Sequence, residues 1–201
     1  MSPPMDVDAV EAALARPGRP SSDFDLNPDV ILPGRRLLRD AAVLVPLVDA
    51  PDGLRLMLTK RSSALRHHPG QVAFPGGKQE AGETPADAAL REASEEVGLP
   101  SAAARILGRL PSHETVTGFT VTPVLAHVAP FDPVPEPGEV AEVFTVPLHH
   151  VLDPANYVVE RRQWRGEWRR FYIVPYGPWY IWGATARILR GLADRMDADH
   201  G

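Results

Sequence analysis

Apolar positions along the chain follow two periods. Ala41 to Val48 is a continuous apolar, β-branched run, the pattern of a buried strand. Leu54 to Lys60 alternates, and Pro51-Asp52-Gly53 between the two runs is a turn signal, so together they predict a hairpin. Arg105 to Val116, Val121 to Val128 and Val143 to Val146 read as further strands, and Tyr157 to Pro175 as a second hairpin that turns at Arg165-Gly166-Glu167. Helical spacing occurs three times: Val7, Val10 and Leu14 within Asp6 to Ala15; Ala86, Ala89, Leu90, Ala93 and Val97 within Pro85 to Val97; and Ala184, Ile188, Leu189 and Leu192 within Ile181 to Met196. Arg16 to Pro33, rich in proline, glycine and aspartate, is expected to be irregular, and Met1 to Pro4 to be frayed.

The middle helix is the best defined by local chemistry. Thr84 suits the N-cap, Pro85 the first helical position and Gly98 the left-handed residue that stops the helix. Asp87, three residues after the cap, completes a near capping box and favours the positive helix end. Opposite the alanine stripe, Glu92, Glu95 and Glu96 fall three and four apart, on one side. Adjacent carboxylates repel, and a divalent cation explains why they are gathered: Mg²⁺ takes oxygen ligands and keeps waters, leaving room for phosphates. Glu92 and Glu96, one turn apart, can share metal, and Gly76 or Gly77 in the preceding turn can add a backbone carbonyl. Arg91 lies beside Glu95 and can reach back toward Glu83, a role in orienting carboxylates.

Composition sets outer limits. The 201 residues suit one domain with a sizeable core, at 44% hydrophobic and 23% charged. A net charge of −5 disfavours broad nucleic-acid binding, and no apolar run approaches a membrane span. There are no cysteines, which excludes disulfides, thiolate metal sites and cysteine nucleophiles. The N-terminus has no basic region followed by an apolar stretch and the chain does not end in a peroxisomal address, so the expected location is the cytoplasm.

From Gly77 to Leu99 the chain reads G-x5-E-x7-R-E-U-x-E-E-x-G-U with U apolar, the fixed positions being Gly77, Glu83, Arg91, Glu92, Glu95, Glu96 and Gly98. At average residue usage those positions coincide by chance on the order of a few times in 10⁹ starts. The stretch resembles the Nudix box, with Ala93 where the general pattern prefers a larger aliphatic. The resemblance implies an α/β fold, an α/β/α sandwich around a mixed β-sheet, and a metal-dependent hydrolase of nucleoside diphosphates linked to another moiety. The implied cofactor is Mg²⁺ or Mn²⁺. The catalytic set is Glu92, Glu95, Glu96 and Arg91, with Glu95 expected to ligate metal directly or through water, or to orient the nucleophile. Many Nudix enzymes draw another carboxylate from outside the box; Glu139 is the first candidate and Glu142 the second. The expected organisation is a lead-in with a short helix over residues 1–35 and a Nudix domain over 36–198.

A second, narrower resemblance lies upstream. Nudix hydrolases that cleave coenzyme A carry L-L-T-x-R-[SA]-x3-R-x3-G-x3-F-P-G-G ahead of the box. Here Leu58, Thr59, Arg61, Ser62, Arg66, Gly70, Phe74, Pro75, Gly76 and Gly77 fall in register, with Met57 replacing the first leucine. Tyr180 to Leu189, YIWGATARIL, also resembles that subfamily. The implied reaction yields 3′,5′-ADP and 4′-phosphopantetheine or its acyl form, and Arg61, Arg66, Ser62, Gly70 and Phe74 become substrate-binding candidates. Arginines match phosphates through planar bidentate bonds. The expected partner is a small molecule, with no nucleic acid and no membrane, bound by a monomer or homodimer. Two readings compete: another nucleoside diphosphate derivative such as ADP-ribose, a dinucleotide or capped RNA, and a non-catalytic ligand sensor. Trp164, Trp168, Phe171 and Tyr172 can stack on a base or pack their hairpin onto the core.

Overall fold

The computed structural model describes residues 6–32, 36–164 and 166–197; Met1 to Pro4 and Arg165 lie outside that description, as does the side chain of Trp164. In chain order the elements are α1 (Val7–Ala15), β1 (Ser21–Ser22), β2 (Arg39–Ala50), β3 (Gly53–Arg61), β4 (Val72–Ala73), β5 (Gly76–Lys78), α2 (Pro85–Val97), β6 (Ala104–Arg109), β7 (His113–Glu114), β8 (Phe119–Val128), β9 (Val140–Pro147), α3 (Leu148–Leu152), β10 (Val158–Trp164), β11 (Glu167–Ile173) and α4 (Gly183–Asp197).

The backbone of the sheet is the order β1-β7-β8-β2-β3-β4, with β9 paired to β3, β6 to β8 and β5 to β2. It is mixed: β2 runs parallel to β8 from Arg39↔Phe119 to Val48↔Val128, whereas β2 and β3 form the antiparallel hairpin foreseen from the turn at Asp52-Gly53. Alternation along the central strands puts Ala41, Val45 and Leu47 of β2 in one core and Ala42 and Leu44 in the other. The first core includes residues of α1, α3 and α4; the second is closed by Ala88, Ala89, Ala93 and Val97 of α2. The sheet is thus sandwiched between helices, the expected three-layer arrangement. Among the described residues no helix is long and apolar enough to cross a membrane.

One strand expectation and one helix expectation change. The run Arg105 to Val116 is broken: β6 ends at Arg109, and β7 is a two-residue strand after Leu110-Pro111-Ser112. His113 explains the second piece. Its ring is fully buried, with Nδ1 2.9 Å from Ser21 Oγ and Nε2 3.0 Å from Asp23 Oδ1, while Asp23 Oδ2 accepts the Val116 N–H at 2.8 Å. A buried imidazole with both nitrogens bonded fixes β1 against β7. The last helix buries Ala186 rather than Ala184 beside Ile188, Leu189 and Leu192.

The proline-rich stretch Phe131 to Gly138 is docked. Its Val134 and Glu136 N–H groups donate to the carbonyls of Val97 and Glu96, each at 2.9 Å. These carbonyls are among the last four of α2, which have no partner within the helix. The loop satisfies them and delivers Glu139 to the next strand.

Candidate active site

The helix α2 runs from Pro85 to Val97 as its caps require. Thr84 Oγ1 accepts the Asp87 N–H at 3.2 Å and Asp87 Oδ2 accepts the Thr84 N–H at 3.2 Å, the reciprocal capping box. At the other end Gly98 has φ 68° and its N–H donates to the Ser94 carbonyl at 3.1 Å, the left-handed closure, while Leu99 N–H reaches the Ala93 carbonyl. Small alanines on the buried stripe let this helix sit close to β2 and β5, and the site is built in that narrow gap.

Two glycines make the close approach possible. A Cβ at Gly76 would lie 2.5 Å from the Ala42 carbonyl oxygen and 2.6 Å from Val43 Cα, both backbone atoms of β2. A Cβ at Gly77 would lie 2.5 Å from the Glu92 carboxyl carbon. At Gly76 only bare backbone fits, and at Gly77 any side chain displaces the Glu92 carboxylate. Glu92 therefore rests on Gly77, and Glu96 Oε2 accepts the Gly76 N–H at 3.1 Å.

The three box glutamates do not share one environment, which corrects the expectation that they lie together on the side opposite the apolar stripe. Glu96 is 4% exposed and belongs to the buried face, Glu92 is partly buried, and the Glu95 side chain is 61% exposed. Burial, with lesser contributions from the charges of Glu92 and Glu139, pushes the Glu96 carboxyl up to about 7, against the Gly76 hydrogen bond and the charge of Arg61. Burial also raises Glu92, opposed by Arg91.

Arg91 holds this arrangement from the side. Nε donates to Glu83 Oε1 at 2.7 Å, Nη1 to Glu92 Oε1 at 3.0 Å, and Nη2 to Glu83 Oε2 at 3.1 Å and to the Lys78 carbonyl at 3.0 Å. Glu95 Oε2 stands 3.5 Å from Nη1. The hydrogen bond from Arg91 holds the Glu83 carboxyl below its ordinary range. One guanidinium thus ties the turn, the helix and the strand β5 together.

Glu139 is exposed, and its charge reaches both Glu92 and Glu96. Glu142 does not join them: its Oε1 accepts the Trp179 indole N–H at 3.3 Å. Arg61 lies at the end of β3, where its charge acts on Glu96 and on His68, and its Nε is buried without a hydrogen-bond partner.

The remaining substrate-binding candidates separate. Ser62 N–H donates to the Glu139 carbonyl at 2.8 Å and Ser62 Oγ accepts the Ala64 N–H at 3.2 Å, so Ser62 shapes the loop and links it to Glu139. The loop is closed at its base by Arg61 N–H to the Gln71 carbonyl and Gly70 N–H to the Arg61 carbonyl, at 2.9 and 3.1 Å. Gly70 takes φ 69° there. Arg66 is exposed on this loop and forms no ion pair among the described residues. Phe74 is 5% exposed within the first core, so its side chain is not open to a ligand, a correction to its candidacy. In the second hairpin, Trp168 is 61% exposed beside Arg161, while Tyr172 packs edge-on to Tyr157 and Phe171 against Trp182.

The donor set suits a hard divalent cation. Glu92 and Glu96 face the Gly76-Gly77 backbone with oxygen atoms only, and the raised carboxyls are those a cation would return to the ionised form. Among the described residues no group of three or more acidic or imidazole side chains is arranged to hold a metal by itself. Two carboxylates completed by main-chain carbonyls and water match the coordination habits of Mg²⁺.

The NUDIX domain model matches residues 38–165. The uncharacterized Nudix hydrolase NudL of Cronobacter sakazakii is 45% identical over 159 residues, covering 77% of this chain and 81% of its own. NudL of Escherichia coli K12 is 43% identical over 157 residues at the same coverage. Among solved structures, a MutT/nudix family protein from Enterococcus faecalis superposes with a TM-score of 0.55 at 16% identity, over 85% of this chain and 66% of that one. The MutT protein from Methanosarcina mazei Go1 gives 0.51 at 20% identity, over 82% and 96%. At those identities the likeness to the solved structures is one of fold. The family model spans more than half of the chain and the NudL relatives extend the match beyond it, so the chain belongs to the Nudix family, as a hydrolase of the diphosphate bond in nucleoside diphosphate derivatives.

Proposed function

We propose that the chain hydrolyses the diphosphate of coenzyme A and its thioester or oxidised forms, releasing 3′,5′-ADP and 4′-phosphopantetheine or its derivative. The observation that carries this reading is the upstream motif. Its residues run along β3, through the loop 62–70, and into the Gly76-Gly77 turn against which Glu92 and Glu96 rest. Recognition loop and hydrolytic carboxylates are thereby one continuous piece of chain.

In this reading Glu92 and Glu96 hold Mg²⁺ or Mn²⁺ with a carbonyl of Gly76 or Gly77. The bound ion supplies charge neutralisation at the phosphoryl oxygens and activation of water. Arg91 is a positioning residue, fixing Glu92 from Glu83 and the Lys78 carbonyl. Glu95, exposed beside Arg91, assists from the outer edge. Glu139 takes the proton of the attacking water, since its carboxylate is exposed and within electrostatic reach of Glu92 and Glu96. Arg66, free on the loop, meets a phosphate of the substrate, while Arg61 stays with the carboxylates. No covalent intermediate is needed. The enzyme acts in the cytoplasm on a free small molecule.

The test is a substrate panel with products identified by mass: coenzyme A, acetyl-coenzyme A, ADP-ribose, a dinucleoside polyphosphate and capped RNA, each with Mg²⁺ and with EDTA. The expected result is Mg²⁺-dependent release of 3′,5′-ADP from the coenzyme A compounds. Faster turnover of ADP-ribose, the dinucleotide or the RNA overturns the substrate assignment. No turnover of any member overturns the hydrolytic one in favour of a sensor.

A further inference from the structure

Tyr180 and Trp182, just before α4, meet Phe171 of β11 and Arg162 of β10. The Arg162 guanidinium carbon lies 5.9 Å from the Phe171 ring centre, 5.4 Å from that of Tyr180 and 6.0 Å from that of Trp182. At each distance a ring face attracts the cation.

The rings are fixed by their own contacts. Phe171 and Trp182 have ring centres 5.3 Å apart and planes inclined at 60°. Tyr180 donates its hydroxyl to Glu160 Oε2 at 2.6 Å, and Trp182 pairs with Ile173 in a β-bridge. All three aromatic residues are partly exposed, and Arg162 is exposed. Holding a long side chain in one place costs conformational entropy. Here the rings hold the guanidinium before any ligand arrives, which is preorganisation. Trp168 and Arg161 do not belong to this cluster: strand alternation puts them on the opposite face of the hairpin.

The cluster adjoins the loop 62–70. A Cβ on Gly183, directly after Trp182, would lie 3.7 Å from Gln71 Nε2, and Thr185 Oγ1 donates to the Val72 carbonyl at 3.1 Å. Phe171 and Gly183 line a narrow crevice with Asp23, whose charge reaches His68 of the loop. From Gln71 the chain runs on to Gly76, whose N–H binds Glu96. A stretch of that length spans at most roughly 18 Å, the scale of an extended nucleoside diphosphate derivative. The aromatic cluster stands at one end of it and the carboxylates at the other.

We propose that Arg162, backed by Phe171, Tyr180 and Trp182, is the surface on which the base of the nucleotide substrate stacks. This rests on the reading of the chain as a hydrolase of coenzyme A, and it adds the residues that hold the adenine. A guanidinium plane and a purine present flat faces to each other, and such stacking does not depend on the phosphates.

The experiment is calorimetric titration of the full chain in EDTA with adenosine 5′-monophosphate and with ribose 5-phosphate, which carry the same phosphate and differ by the base. Wild type is expected to bind the adenosine compound roughly tenfold more tightly. Arg162→Ala and Trp182→Leu are expected to erase that preference and to leave binding of ribose 5-phosphate as it was. Arg162→Lys keeps the charge and loses the plane, so it is expected to behave as Arg162→Ala does. The proposal is overturned by equal affinities in wild type, by no binding of either compound, or by a preference that survives in the variants. Full recovery in Arg162→Lys also overturns it, since Arg162 would then act as a charge and not as a surface. Should Trp182→Leu fail to fold, the two substitutions at the exposed Arg162 decide. Steady-state kinetics with Mg²⁺ separates this proposal from the hydrolytic reading. An unchanged KM for coenzyme A in Arg162→Ala removes the base site and keeps the hydrolase. A wild type without turnover that still prefers the adenosine compound keeps the base site and removes the hydrolase.

Discussion

Glu96 is buried where an isolated carboxylate is least comfortable, and this has a measurable sign. Its folded-state value of about 7 lies above the ordinary 4.5, so the folded protein binds a proton that the unfolded chain has released between those limits. Without metal, stability falls as pH rises from about 4.5 to about 7 and stays low above, by about 3 kcal/mol. Glu96→Gln keeps an oxygen for the Gly76 N–H and removes the charge. In EDTA at pH 8 urea unfolding should find the variant more stable by up to about 3 kcal/mol, the gain vanishing near pH 4.5. Its turnover should be lower by orders of magnitude, since a neutral amide is a poor ligand for a hard cation. A variant no more stable than wild type at pH 8 would mean that the buried carboxylate is relieved by something other than metal. Arg66 poses a question of selectivity instead. If it meets the 3′-phosphate, wild type prefers coenzyme A to its 3′-dephospho form by about tenfold to hundredfold, the worth of one charge-assisted bond of roughly 1.5–3 kcal/mol. Arg66→Ala should lose that preference while keeping activity on the dephospho compound; steady-state kinetics at fixed ionic strength separates this from equal loss on both. The box positions were legible as chemistry, but their unequal burial was not. Helical spacing puts Glu92 and Glu96 one turn apart and says nothing about which of them the strand β5 will cover.

Within α2 and its turn, local and tertiary causes can be told apart. The caps at Thr84 and Gly98 are chosen by neighbours within four residues, which is why the helix bounds could be read from the sequence. The docking of Val134 and Glu136 onto the helix end depends on residues some forty positions away and left no local signal. The same distinction predicts different outcomes at adjacent glycines. Gly76→Ala drives a methyl into the β2 backbone, which cannot move without breaking the pairing of Ala42 with Gly77 and Val43 with Gly76. Gly77→Ala meets only the end of the Glu92 side chain, which can swing away. Calorimetry should show Gly76→Ala losing about 2 kcal/mol or more and Gly77→Ala much less. Activity should collapse in both. Near-normal activity in Gly77→Ala would detach Glu92 from the reaction.

On the scale of the whole molecule, the parallel pairing of β2 with β8 and the burial of His113 at β7 were beyond sequence reading, because each register is fixed by strands far apart in the chain. The lead-in is likewise more integrated than its irregular composition indicated. Val10 and Ala13 are fully buried in the first core, and α4 reaches back through Arg195 to the carbonyls that end α1. Removing residues 1–16 should lower Tm by roughly 4–8 °C, from a net loss of about 2 kcal/mol of apolar burial. An unchanged Tm would make the lead-in an appendage. The turn at Gly76-Gly77 is anchored to the centre of the sheet, whereas the loop 62–70 leaves and returns through a closed pair of backbone hydrogen bonds at Arg61, Gly70 and Gln71. Length and composition between those gateposts can therefore vary without moving Glu92 or Glu96. The fold then works like a fixed chuck with an interchangeable bit: if the loop reads the substrate as proposed, a library randomised over residues 63–69 changes which molecule is held, while Glu92 and Glu96 stay in place.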